Sequence, residues 1–272
     1  MPTTRFLFWN IDRKPLAGAV AALAEIHRAD IIVLAECAIE PGKVLLTLNQ
    51  DGPGDFHFPL GMSEQLLIFT RFSRDFLQAR FDSERVSIRR LAMPARPEVL
   101  LAVAHFPSKL HWSSDSQAFE CTKLATQIAA DEDHAGHRRT VLLGDFNMNP
   151  FEPGLVGAGG LNAVMSRQIA SRATRTVQGS EYRFFYNPMW GHFGDRRSHT
   201  AGSYFYDSAE HVSYYWNVFD QVLVRPELAE RFDPDQLKIL TSIDTQSLVR
   251  QDGRPDTRHY SDHLPIIFEL DF

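Results

Sequence analysis

The chain has 272 residues, 44% hydrophobic and 11% aromatic, enough apolar material for a buried core, which excludes an intrinsically disordered protein. A formal charge of −6 excludes wrapping of a long polyanion by the surface as a whole, since that affinity comes from Lys and Arg, although local basic clusters and bound cations can offset a mildly acidic total. Two cysteines, Cys37 and Cys121, exclude a disulfide framework and a zinc cluster, and the lack of an apolar run of about 20 residues or of a signal-type N-terminal segment excludes a spanning helix and makes a cytoplasmic protein the expectation.

Residues 5–10 are short and aromatic and read as a strand, and residues 14–28 carry Leu16, Val20, Leu23 and Ile26 at helical spacing. Residues 31–34 are a continuous apolar run of the kind found in strands covered on both faces, with Glu36 at the end. Further strand-type runs lie at 65–70, 86–91, 99–104, 140–143, 217–224 and 264–270. Residues 113–133 place Phe119, Leu124 and Ile128 at helical spacing after a capping-type serine. Residues 174–216, rich in aromatics and turn formers, are the least regular stretch, and long irregular insertions usually carry function. No repeat, low-complexity tract or linker divides the chain, so a single domain over residues 1–272 is expected. Many strands and few long helices predict an α/β (α+β) protein with two sheets packed face to face and helices outside.

The strongest local signal is Val141-Leu142-Leu143-Gly144-Asp145-Phe146-Asn147, an apolar strand that delivers Asp145 and Asn147 to one side of an extended backbone. Alone, an Asp and an Asn two apart read equally well as a turn. Asn10 and Asp12 repeat the spacing after the first strand, and Glu36 emerges from an apolar run, so three segments offer oxygen ligands to one sheet rim. Hard cations such as Mg²⁺, with Mn²⁺ as a substitute, take such sites. Near the end, Ser261-Asp262-His263 precedes another apolar strand; adjacent strand residues face opposite ways, so Asp262 and His263 need a bend to act together.

These segments, in chain order Trp9-Asn10-Ile11-Asp12, Leu34-Ala35-Glu36, Ala104-His105-Phe106-Pro107-Ser108, Leu143-Gly144-Asp145-Phe146-Asn147, Phe219-Asp220-Gln221-Val222-Leu223 and Ser261-Asp262-His263, resemble the endonuclease/exonuclease/phosphatase superfamily of DNase I-like metal-dependent phosphoesterases. The resemblance implies a four-layer sandwich of two packed mixed β-sheets flanked by helices, and a Mg²⁺-dependent phosphodiester hydrolase, foremost an endonuclease or exonuclease acting on DNA or RNA. It implies Glu36 as the principal metal ligand, with Asp262, Asn10 and Asp12 as direct or water-mediated contributors. Asp145 is implied to position and deprotonate the attacking water, and Asn147 to hold that water or a phosphate oxygen. His263 is implied to bind the phosphoryl oxygen that gains charge, oriented and kept cationic by Asp220. His105 is implied to give a proton to the leaving oxygen or to grip a phosphate; a histidine that caps its strand is the alternative.

Substrate choice resides in loops. Aromatics beside cations at residues 183–193, Tyr204-Phe205-Tyr206 and Tyr214-Tyr215-Trp216 suit base stacking, and equally suit packing of a loop onto the sheets. Asn187 and Trp190 are the individual residues expected to touch substrate. Basic pairs at Arg71/Arg74/Arg80, Arg89/Arg90, Arg138/Arg139, Arg172/Arg175 and Arg196/Arg197 read as a solvated face unless several converge on the metal rim. Two rivals stand beside the nuclease: a phosphomonoesterase or a lipid or nucleotide phosphodiesterase with the same core, and a catalytically silent relative that binds nucleic acid or protein.

Overall fold

The computed structural model describes residues 3–50, 55–59, 65–110, 112–194 and 200–272. Strand β1 (Thr3–Asn10), helix α1 (Ala17–Ile26) and strand β2 (Ile31–Ala35) form a β-α-β unit in which β2 runs parallel to β1 with Asn10 opposite Ala35. Helix α2 (Pro41–Gln50) and strand β3 (Leu66–Thr70) follow, then an antiparallel run of β4 (Leu77–Asp82), β5 (Val86–Leu91) and β6 (Val99–His105). The long helix α3 (Ser114–Ala135) crosses over to β7 (Thr140–Asp145), which lies parallel to β6. Short strands come next: β8 (Ala163–Val164), the hairpin β9 (Thr174–Val177) and β10 (Ser180–Arg183), β11 (Phe185–Tyr186), and the hairpin β12 (Tyr204–Phe205) and β13 (Trp216–Asn217). The chain ends with β14 (Asp220–Val224), β15 (Lys238–Ile239), β16 (Ser242–Ile243), β17 (Gln246–Ser247) and β18 (Ile266–Asp271).

Among the described residues two large mixed sheets result, ordered β15-β18-β1-β2-β3 and β4-β5-β6-β7-β14-β11-β8. The period-2 geometry of a strand sorts the second sheet's residues into two cores. Leu101, Val103, Val141, Leu143, Val222 and Val224 join the first sheet, α1 and α2 in one cluster, while Ala102, Ala104, Leu142 and Leu223 face Leu124 and Ile128 of α3 in the other. The layers therefore run helices, sheet, sheet, helix, as the motif resemblance implied.

Several elements differ from the sequence reading at their edges. The first helix is shorter than residues 14–28, and Ile26, its last residue, is half exposed. Helix α2 and strand β4 were not anticipated: α2 buries only Val44 and Leu48, and β4 is an edge strand whose middle residues face solvent, so neither carries a long apolar pattern. The expected strand 217–224 is interrupted, with β13 belonging to a hairpin and β14 to the large sheet. Within residues 174–216, read as irregular, the structure has two hairpins. No described helix is long and apolar enough to cross a membrane.

Candidate active site

Parallel pairing puts chain ends at one rim. Because Asn10 lies opposite Ala35, Glu36 leaves β2 beside Asn10, whose Nδ2 donates to Glu36 Oε1 at 3.2 Å. In the facing sheet, His105 on β6 and Asp220 on β14 both register with Asp145 on the strand between them. The sheets pack face to face, so these two rows meet: Asn10 Nδ2 also donates to Asp145 Oδ2 at 2.9 Å.

The bend that Asp262 and His263 require is built before β18. Ser261 Oγ donates to the carbonyl of Asn10 (2.6 Å) and accepts from the His263 amide (3.1 Å), while Trp9 Nε1 donates to the His263 carbonyl (2.8 Å). This tethers the segment to the end of β1 and turns His263 inward. Its Nδ1 meets Asp220 Oδ2 at 2.9 Å, leaving Nε2 3.8 Å from Asp145 Oδ2.

Asp145 is fully buried and held by donors: Asn10 Nδ2, the Asn147 amide to Oδ1 (2.9 Å) and Asn147 Nδ2 (3.2 Å). Asn147 Nδ2 also reaches the Phe106 carbonyl at 2.8 Å, so Asn147 braces Asp145 against the next loop. His105 Nε2 lies 3.3 Å from Glu36 Oε1 and 3.8 Å from Asp145 Oδ2, and its Nδ1 lies 3.0 Å from Gln65 Oε1. Backbone strain collects here: Asp12, Glu36 and Asn147 all have left-handed φ values near +50°, a conformation that short Asx side chains tolerate and glutamate seldom adopts.

The electrostatics follow from these contacts. The hydrogen bond from His105, against an opposing burial effect, holds the Glu36 carboxyl down at about 2, so it is a carboxylate across the ordinary pH range. Burial alone would lower the pKa of His263, but Asp220, then Asp145, outweigh it and raise it to about 10. Burial pushes the carboxyls of Asp220 and Asp262 up. For the buried Asp220–His263 pair the direction that holds is the imidazole's, because Asp145 and Asp262 add to the field that favours its cation.

A cleft of about 460 Å³ opens onto this group, lined by Asp12, Glu36, His105, Asp145, Asn147, Asp262 and His263. Asp12 accepts from Lys14 Nζ at 3.0 Å, and its amide donates to Asn10 Oδ1 at 3.1 Å. Glu36, Asp12 and Asp262 all line this cleft with carboxylate oxygens, a donor type that suits a hard cation. Oxygen and nitrogen atoms of Asp145, Asp220 and His263 also lie within 4.8 Å of one another. That second group already contains the Asp220–His263 hydrogen bond, so a cation there would have to displace it.

Two expected substrate contacts are not brought to the cleft. Asn187 is fully buried: its Oδ1 accepts from the Met189 amide (3.0 Å) and its Nδ2 donates to Gln221 Oε1 (2.8 Å), so it braces the loop behind β14 instead. Trp190 lies outside the cleft lining, its ring centroid 6.3 Å from that of Phe151. The basic pairs do not converge either. Arg89 is buried on Asp82 (2.7 Å), Arg90 pairs with Glu98 (2.7 Å), Arg71 with Glu25 (3.3 Å) and Arg139 with Glu227 (3.7 Å), while Arg196 and Arg197 lie outside the described residues.

The cleft instead carries Gln65, Arg13, Arg85 and Trp112, which no motif marked, and it takes in Tyr204, one of the aromatics that suit base stacking. Gln65 is placed by the antiparallel register of β3 on β2, which brings its carbonyl to the Glu36 amide at 3.2 Å, and no motif marks it in the sequence. Arg85 donates to Gln65 Oε1 at 3.4 Å, and Arg13 Nε lies 3.7 Å from Glu36 Oε2, so two guanidinium groups flank the acidic lining.

Residues 7–263 match the model of the Endonuclease/Exonuclease/phosphatase family. Comparison with curated protein sequences gives no match. Among solved structures, a family protein from Bacteroides thetaiotaomicron is similar at 13% identity with a TM-score of 0.61, covering 99% of this chain and 98% of its own. An AP endonuclease from Archaeoglobus fulgidus shares 13% identity at a TM-score of 0.58, over 99% of this chain and all of its own. TDP2 from D. rerio, solved with a single-strand DNA product, shares 15% at 0.56 over the whole of both chains. At such identity the likeness is one of fold.

Proposed function

Since this chain belongs to the endonuclease/exonuclease/phosphatase family, we propose that it is a nuclease, hydrolysing nucleic-acid phosphodiesters in a reaction that depends on Mg²⁺ or Mn²⁺. The observation that carries this reading is the cleft in which Asp145 Oδ2 and His263 Nε2 face each other 3.8 Å apart, each backed by further hydrogen bonds, beside the carboxylate of Glu36. A phosphate oxygen seated near His263 receives the Nε2 proton as a hydrogen bond, and its growing charge is met by an imidazolium that Asp220 orients. Asp145, fixed by Asn10 and Asn147, presents an acceptor that aligns a water for in-line attack and takes its proton. His105, anchored by Gln65, together with Arg85, grips the remaining phosphate oxygens. Glu36, with Asp12, Asp262 and Asn10, would hold a hard cation, which when bound would supply charge neutralisation at the leaving oxygen.

The test is end-labelled DNA and RNA oligonucleotides incubated with purified protein and Mg²⁺ or Mn²⁺, run beside an EDTA control and the variant Asp145→Asn. Cleavage that is lost in EDTA, and reduced by roughly 10²–10⁴-fold in a variant with an unchanged circular dichroism spectrum, supports the reading. Full turnover by Asp145→Asn removes the mechanism, and cleavage of inositol phosphates or phosphomonoesters alone moves the substrate class.

A further inference from the structure

The hairpin of β12 and β13 is anchored in the cleft at one end and exposed at the other. Its first residue, Tyr204, bridges to His263 along the backbone, and its ring lies 4.6 Å from the imidazole centroid. Phe219 stacks on the same tyrosine at 5.1 Å and 24°, and Lys109 Nζ lies 5.9 Å from the Phe219 centroid. Burial raises the Tyr204 hydroxyl pKa, so it remains a neutral donor inside the cleft.

From there rings continue outward. Phe205 is pinned between Trp216, at 5.3 Å, and the Arg254 guanidinium, at 4.4 Å. Beyond it Tyr206, Tyr214 and Tyr215 are 47%, 57% and 50% exposed. Tyr215 is also held at φ 58°, a left-handed conformation that costs a non-glycine residue on the order of 1 kcal/mol, with its carbonyl bonded to the Tyr206 amide at 2.8 Å. The Tyr215 ring lies 6.3 Å from that of Phe205 and the Tyr214 ring 5.4 Å from that of Phe151, so each is steadied by a neighbouring ring while about half of it stays open to water.

We infer that this hairpin is a stacking platform for unpaired bases next to the scissile phosphate, with Tyr204 innermost and Tyr214 and Tyr215 outermost; this rests on the phosphodiesterase reading above. Tyrosine offers a flat face and few rotatable bonds, so it stacks on any base at small entropic loss. The hairpin's own charges narrow the occupant. Asp207 is paired with Arg254 at 3.9 Å, while exposed Glu210 on the same loop disfavours an anionic membrane lying on the tyrosines; a strand can lay its neutral base faces on the rings and keep its phosphates turned toward water. A duplex hides those faces, so the ligand is a single strand.

The experiment separates binding from turnover by using Asp145→Asn protein and fluorescence anisotropy. The probes are a labelled single-stranded 12-mer, the same length with an abasic backbone, and the corresponding duplex. Expected is at least roughly ten-fold tighter binding of the base-bearing strand than of the abasic one, with most of that preference removed by adding Tyr214→Ala and Tyr215→Ala. Replacement of both by Phe keeps the preference, which a loop that merely misfolds would not. In otherwise wild-type protein, the Ala pair lowers the ratio of oligonucleotide to bis(4-nitrophenyl) phosphate hydrolysis rather than both rates together.

No binding, equal binding of base-bearing and abasic strands, or a preference that survives the Ala pair overturns the platform. So does loss of binding to phosphatidylcholine vesicles with oligonucleotide binding intact, which would make the hairpin a lipid contact. If base-dependent binding appears but no oligonucleotide is ever cut, the platform stands and the nuclease reading falls.

Discussion

An added Cβ at Gly144 would stand 1.8 Å from the carbonyl oxygen of Ala104, and its φ of 153° lies where L side chains are rarely found. This glycine immediately precedes Asp145, so β7 can approach β6 closely enough to register His105 with Asp145 only if position 144 has no side chain. Gly144→Ala is therefore expected to lower unfolding free energy by more than about 2 kcal/mol and to misplace Asp145; urea denaturation and turnover measured together check it. Asp220→Asn tests the imidazole. The aspartate raises the His263 pKa, so the cation is present below about 10 and is lost above it. Removing the negative charge lowers that pKa, and the alkaline fall in kcat should begin at lower pH, with the acid side unmoved. An unchanged alkaline limb would mean that Asp220 only fills space. At this scale the carboxylates, amides and histidines of the cleft were legible because short motifs deliver them at strand ends. Asn187 was misread because a sequence does not say whether an amide faces a cleft or braces a neighbouring loop.

Helix α3 shows what holds an element to its sheet. Ser113 Oγ accepts from the Ser116 amide at 3.2 Å, and Gly136 closes the other end at φ 71°. Near that end Glu132, buried to 1% exposure, accepts from Arg225 Nε (2.7 Å), Arg183 Nη1 (3.0 Å) and Thr140 Oγ1 (2.7 Å). Arg225, the residue after β14, also lies 3.8 Å from the Phe185 ring centroid, so one carboxylate joins α3, β7, β10 and the end of β14. Breaking such a buried pair leaves an uncompensated charge, and Arg225→Met is expected to cost about 3–5 kcal/mol. Replacing both partners, as Arg225→Met with Glu132→Gln, should recover part of the loss; thermal melting reads both. Helices α1 and α3 and the long strands were legible because each carries several apolar residues at one period. The short hairpins were not, since two-residue strands show no period and their pairing is made by partners distant in the chain. Phe119 illustrates the same limit: it fits the helical spacing, yet it is 63% exposed because α3 turns a different ridge to the sheet.

Across the whole molecule, charge is spread rather than gathered. Most described arginines outside the cleft that the sequence grouped into basic pairs are matched to carboxylates or stacked on rings, and the arginines lining the cleft are Arg13 and Arg85. A single strand whose phosphates meet two such cations should show a log–log salt slope of magnitude about 1–2. Anisotropy titrations from low to high KCl check this, and a magnitude above about 5 would require a basic track that the described residues lack. Under the proposed function, affinity is expected to come from the cation, the imidazole and stacking rather than from a basic surface, in keeping with a net charge of −6.

By itself the sequence determined the chemistry on offer and the layers: apolar runs long enough to be strands, one long helix, and six short motifs in family order. Those features are local, written within a few residues of one another. Only the tertiary structure decided which groups meet, because the register of β1 on β2, of β7 between β6 and β14, and the facing of the two sheets set distances between residues as far as 251 apart in the chain. That is why Gln65, Arg85 and Tyr204 enter the cleft from segments without a motif, and why Asn187 and Trp190 stay out of it.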